Sequence, residues 1–160
     1  MSLTIRAARA GEAALVLQFV RELAEYEKLS HAVAATDTMI ADALFGENPR
    51  VFCEIAEWDG APAGFAFWFL NFSTFSGRHG LYLEDVFVRP QHRGKGIGKA
   101  LMIHLAKKCI ANGWSHFQWA VLDWNTPSID FYKSLGADML DEWTGVRISG
   151  TALKALAERA

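Results

Sequence analysis

The sequence predicts one mixed α/β (α+β) domain over residues 1–160, built as a central twisted sheet flanked by helices. Three observations carry this. Apolar alternation of period two interleaves with apolar spacing of three and four residues along the chain. Turn residues separate those segments at short intervals. No internal repeat, linker or low-complexity stretch divides the chain, and a protein of this length buries roughly two thirds of its unfolded surface in one core.

Leu3 to Ala8 alternates apolar and polar side chains and reads as a strand, after which Leu15, Phe19, Leu23 and Tyr26 give Gly11 to Lys28 a helical stripe. Thr36 to Phe45 is a second, shorter helix, ended by Gly46 and the Asn48-Pro49 turn. Val51 to Trp58 and Ala63 to Phe72 are strands joined through Asp59-Gly60, a two-residue hairpin signal. Tyr82 to Val88 is a strand stopped by Pro90. Gly96 to Ala111 is a helix whose apolar face carries Ile97, Leu101, Leu105 and Cys109, closing before Gly113. Phe117 to Leu122 reads as a buried strand. Asn125 caps the next helix, with Pro127 in its first turn and Gly136 as its stop. Val146 to Ile148 is expected as a last strand and Thr151 to Ala157 as a last helix.

Composition narrows the function classes. The longest apolar stretch, Ala61 to Leu70, is broken by Pro62 and Gly64 and is far shorter than the about 20 residues that cross a bilayer. Arg6, Arg9 and Glu12 stand where a signal peptide needs an apolar run, so a cytoplasmic protein is expected. Cys53 and Cys109 sit in apolar patterns, which makes them buried hydrophobes rather than disulfide or zinc ligands. His31, His79, His92, His104 and His116 lack metal or triad spacing, so no metal is expected. The net charge of −2 hides an asymmetry: residues 86–122 carry +6, the first 85 carry −6 and the last 38 carry −2. A cationic middle between anionic flanks suits an anionic ligand meeting a cationic one. Lys107 and Lys108 read as solvation of a helix face. A pI of about 6.2 and the lack of a basic helix interleaved with aromatics argue against a nucleic-acid partner.

The run Gln91-His92-Arg93-Gly94-Lys95-Gly96-Ile97-Gly98-Lys99 lies between a predicted strand and a predicted helix. Unpaired N–H groups at a helix start attract phosphate, and glycine removes the Cβ that would block close approach. The run lacks the GxxxxGK[ST] of a P-loop and does not fit the dinucleotide-binding GxGxxG.

Gln91-x-x-Gly94-x-Gly96 resembles the Q/R-x-x-G-x-G/A signature of the GCN5-related N-acetyltransferases (GNAT). Arg21 to Glu27, Tyr82-Leu83-Glu84-Asp85, and the stretch from Trp124-Asn125 through Phe131-Tyr132-Lys133 to Gly136-Ala137 resemble its diamine branch. That branch holds the spermidine/spermine N1-acetyltransferases and the thialysine acetyltransferases, and the likeness runs from about Ile5 to Ile148. The resemblance implies a mostly antiparallel sheet splayed at an acetyl-CoA site near the end of the Tyr82 to Val88 strand. It also implies direct attack by a primary amine in a ternary complex, and a homodimer. The backbone of Val86, Phe87 and Val88 would hold the acetyl carbonyl and pantetheine. Arg93, Gly94, Lys95, Gly96, Ile97, Gly98 and Lys99 would hold the pyrophosphate, and Asn125 would contact the pantetheine arm. Tyr132 would face the sulfur, while Tyr26, Glu27, Glu84 and Trp143 would line the amine pocket.

The chemistry requires a proton acceptor. An alkylammonium of pKa about 10.4 leaves roughly one molecule in 2,500 with a free lone pair at neutral pH, a deficit of about 4.6 kcal/mol. Glu84, at the strand end, is the candidate base, acting directly or through water. In a regular strand Asp85 would face the other way and not share the job of base. Tyr132 is the candidate donor to the departing thiolate. The acids Glu22, Glu25, Glu27, Glu84 and Asp85 favour a dicationic acceptor such as a diamine, polyamine or lysine-like amino acid, and a diamine or polyamine is the main reading; Glu25 and Glu27 lie 200° apart on a helix, and the resemblance assigns Glu27 to the pocket. The alternative acceptors are thialysine-like or lysine-like amino acids and protein amino termini. A CoA-binding regulatory module without catalysis is the alternative of another class, against which Glu84 and Tyr132 both stand.

Overall fold

The computed structural model describes residues 1–159, in two compact units: Met1–Ala120, and a second that begins at Val121. The first unit holds a five-stranded sheet in the order β1 (Leu3–Ala7), β2 (Val51–Trp58), β3 (Ala61–Ser73), β4 (Arg78–Val88), β5 (Phe117–Trp119). Three pairings are antiparallel and the last, β4 with β5, is parallel. At the β2–β3 turn, Asp59 and Gly60 have φ of 50° and 81°, the doubly left-handed conformation that matches the twist of paired strands.

Helices α1 (Ala13–Tyr26) and α2 (Asp37–Phe45) cover one face of the sheet. Val16, Phe19 and Leu23 of α1 and Leu44 of α2 pack with Cys53, Ile55, Phe65 and Phe87 in one buried cluster. Thr36 caps α2 by accepting from the Met39 N–H at 3.2 Å. Helix α3 (Ile97–Asn112) lies against the other face and buries Ile97, Leu101, Leu105 and Cys109, the predicted stripe. Both cysteines are free and buried. No helix among the described residues is long and apolar enough to cross a membrane.

In the second unit, Asn125 caps α4 (Thr126–Ser134) through its side chain, which accepts from the Ser128 N–H at 3.4 Å, and Gly136 follows with φ of 89°. Helix α5 (Gly150–Ala157) is the last element among the described residues.

Three expectations need correction. The strand predicted over Phe117 to Leu122 is three residues long and half-buried, because its ladder with β4 stops at Leu83. Val146 to Ile148 forms no strand: Val146 is 93% exposed, and an extended segment with no ladder partner gains nothing from its apolar content. Lys108 does not merely solvate α3, since its Nζ lies 3.4 Å from Glu54 Oε1.

Candidate active site

The site is built at the carboxyl end of β4, and an irregularity in the ladder shapes it. Leu83 pairs with Trp68 and Asp85 with Phe67, so β4 spends two residues where β3 spends one, and Glu84 is the extra residue of a β-bulge. The bulge inverts the alternation. Leu83 shares a face with Trp68, on the α3 side, while Asp85 shares a face with Phe67 and Cys53, on the α1/α2 side. The expectation that Asp85 points away from Glu84 assumed a regular strand, and the bulge brings both carboxylates to the α1/α2 side.

Electrostatics register this proximity. Burial pushes the Asp85 carboxyl up to about 7, and the negative charges of Glu84 and Glu27 push in the same direction. Glu27, half-buried at the end of α1, is itself raised by burial. Three acids from two elements therefore share one region, and the charges that act on Asp85 there are all negative. Glu25 is exposed, as the helical angle requires. Glu22 is not part of this field: its two oxygens accept from Arg89 Nε and Nη2 at 2.9 and 3.0 Å, a bidentate pair. That pair also removes Arg89 from the free cations of the middle segment.

The splay expected of the sheet is present. β5 pairs only with Leu81 to Leu83, so the edge of β4 from Glu84 to Val88 that faces away from β3 has no strand against it. Beyond Val88 the chain turns through Gly94 and Gly96, with φ of 75° and 78°, into α3. Gly96 is the N-cap of that 16-residue helix and supplies no side-chain hydrogen bond. A Cβ built on Gly94 or Gly96 meets nothing within 4 Å, so the space above both is open. Exposed N–H groups at the positive end of α3, without a side chain over them, fit the pyrophosphate of acetyl-CoA.

Two basic side chains of the loop are engaged elsewhere. Arg93 turns back over the rings of Tyr26 and Phe87, at 5.0 and 5.5 Å, and its Nε donates to the Val88 carbonyl at 2.9 Å. Lys95 Nζ lies 5.0 Å from the Trp58 ring. Lys99 is exposed on the first turn of α3. Ile97 is buried and anchors the helix start, and Gly98 follows it. In the second unit Tyr132 is 9% and Asn125 7% exposed, and Trp143 is 78% exposed. Among the described residues no group of three or more His, Cys, Asp or Glu side chains could hold a metal ion.

Sequence reasoning placed Asp85 in the acidic field but set it apart from Glu84's role, because a bulge has no composition of its own. The available signal was two adjacent acids at the end of an otherwise apolar strand.

A splayed sheet beside an uncovered glycine turn, with clustered acids at the strand end, defines an enzyme that transfers an acyl group to an amine. The chain belongs to the Acetyltransferase (GNAT) family, whose model matches residues 16–137, and it is an N-acetyltransferase. It is 40% identical to the thialysine N-epsilon-acetyltransferase of Sus scrofa, over 98% of each chain. It is 27% identical to the L-ornithine N5-acetyltransferase of Arabidopsis thaliana, over 95% of this chain and 86% of that one. Among solved structures, an integron cassette protein from the mobile metagenome of V. cholerae superposes with a TM-score of 0.81 at 31% identity, covering 99% of both chains.

Proposed function

We propose that this protein moves the acetyl group of acetyl-CoA to the terminal primary amine of a lysine-like amino acid, with diamines and polyamines as the second class of acceptor. The observation that carries this is the convergence of Glu27, Glu84 and Asp85, which makes a region where a cation relieves mutual repulsion. That field suits any alkylammonium. The full-length likeness to enzymes named for thialysine and ornithine favours an amino acid over the diamine or polyamine first expected, a choice the charge pattern leaves open.

Within that reading the carboxylates divide the work. Glu27 and Glu84 hold the ammonium form. Asp85, with a pKa of about 7, accepts one proton from the nitrogen, being half-ionised near neutral pH. The freed lone pair attacks the acetyl carbonyl held against the uncovered edge of β4 at Val86 to Val88. As the C–S bond breaks Tyr132 gives its hydroxyl proton to the departing thiolate, the second proton shed by the nitrogen returns through water to the Tyr132 oxygen as the amide forms, and the Gly94 to Lys99 loop holds the pyrophosphate. Asn125 serves the pantetheine arm, and Tyr26 and Trp143 serve the acceptor. We assign the whole chain to one catalytic domain, consistent with a family match that continues past Ala120, and to a cytoplasmic homodimer.

Initial rates with acetyl-CoA and a panel of thialysine, lysine, ornithine, putrescine and spermidine test the acceptor class. A higher kcat/KM for the amino acids is expected. Preference for spermidine would return the assignment to the polyamines, and no turnover with any of them would remove the reading. Light scattering at micromolar concentration reads the assembly.

A further inference from the structure

A cavity of about 450 Å³ opens where β1 ends, within the size range of small-molecule sites. The β1–β2 ladder stops at Ala7 opposite Glu54, so from Val51 to Cys53 β2 is paired with β3 but has no strand on its β1 side, and the ends of α2 and α3 wall the gap. Phe52 and Trp68 stack at 4.5 Å, and Trp114 leans on Trp68 at 5.8 Å. All three line the cavity, and so does Glu54, which is only 3% exposed.

The Glu54 carboxylate is poorly served. Lys108 Nζ stands 3.4 Å from one oxygen and His104 Nε2 stands 3.6 Å from the other. Both exceed the roughly 2.8 Å of a charge-assisted N–H to oxygen bond. A buried carboxylate short of close donors is costly, so a better donor that reaches it gains binding energy. Lys108 also lies over the Trp68 ring at 5.9 Å, and its side chain is 36% exposed and able to swing into water. The cavity thus already holds an alkylammonium between a carboxylate and aromatic faces, supplied at long range from its own wall.

We propose that this cavity is a second ligand site, which takes a small primary ammonium ion carrying an apolar tail. The head reaches hydrogen-bond distance of Glu54 and displaces Lys108, while the tail packs on Phe52, Trp68 and Trp114. The site is distinct from the acid cluster at the end of β4. Glu54 meets His104 and Lys108 on the α3 side of the sheet, whereas Asp85 lies on the α1/α2 side. The proposal does not depend on which amine is acetylated.

Titration calorimetry with 2-phenylethylammonium at about pH 8, where the amine is charged, tests it, with tryptophan fluorescence as a second readout. The wild type should bind the ammonium and not 2-phenylethanol, which has the same shape without the charge. Lys108→Met removes the resident competitor and should tighten binding about tenfold, and Glu54→Gln should weaken it about tenfold or more. Should Glu54→Gln fail to fold, Lys108→Met decides alone. Unchanged affinity in Lys108→Met, or equal binding of the alcohol, overturns the proposal. So does binding that only Asp85→Asn abolishes, since the ligand then sits at the first cluster.

Discussion

Asp85→Asn isolates the carboxylate that the fold holds out of water. In the native protein its pKa is about 7, against an ordinary value of 3.8. A gap of about 3 units at 1.36 kcal/mol each bounds the penalty on the charged form at about 4 kcal/mol. Water still reaches this half-buried group, and screening brings the expected figure to about 2–3 kcal/mol. The native state keeps this proton to higher pH than the unfolded chain does. Between about pH 4 and pH 7 it therefore binds more protons, and stability falls as pH rises through that window, with the full penalty present above it. Asparagine carries no such penalty. The Glu12 carboxyl, held low by its hydrogen bonds from Arg6, works in the opposite sense and is common to both proteins. Urea unfolding at about pH 5 and pH 8.5, an interval that covers roughly two thirds of that window, should show the wild type losing about 1–2 kcal/mol more than Asp85→Asn, with the variant the more stable at the higher pH. Parallel pH profiles for the two proteins would refute the assignment of a buried, repelled carboxyl at this position.

Further outcomes follow from the same geometry. Glu84→Gln removes a negative neighbour of Asp85, so the acid limb of the kcat/KM profile should move to lower pH; a limb that stays in place separates Asp85 from proton acceptance. Gly96→Val forces a β-branched residue to φ of 78° and puts a side chain into the open space over α3, and acetyl-CoA affinity by calorimetry should fall at least about tenfold in the folded variant. Glu22→Gln leaves Arg89 without its bidentate partner and should lower the urea midpoint by the equivalent of about 1–3 kcal/mol, with acetyl-CoA affinity unchanged. Tyr132→Phe should cut kcat while acetyl-CoA binding survives, and unimpaired turnover would reduce Tyr132 to packing.

Much of the candidate site was legible before the fold was known, and for separable reasons. The glycine turn is a local object: glycines, a following helix and the absence of side chains over the N–H groups all lie within one stretch of chain from Gln91 to Lys99. Glu27 could be preferred to Glu25 from helix angle together with the family likeness, and Glu25 is indeed the exposed one. Asp85 was assigned the wrong side because its orientation depends on a register shift between β3 and β4, which no window on β4 alone contains. Glu22 looked like part of an acidic field because its partner, Arg89, is 67 residues away.

The sequence by itself determined what arises from neighbours along the chain. The stripe of α3, the Asp59-Gly60 hairpin, the Asn125 cap and the uncovered loop at Gly94 and Gly96 follow from side-chain period, turn chemistry and the missing Cβ, all properties of a few consecutive residues. Tertiary structure alone decided where ladders begin and end and which charges meet. It shortened β5 at Trp119, left Val146 to Ile148 unpaired, turned Asp85 beside Glu84, and set Lys108 against Glu54 in a cavity. Pairing and burial energies depend on what the rest of the chain brings alongside, so these outcomes are written in contacts between distant segments rather than in any one of them.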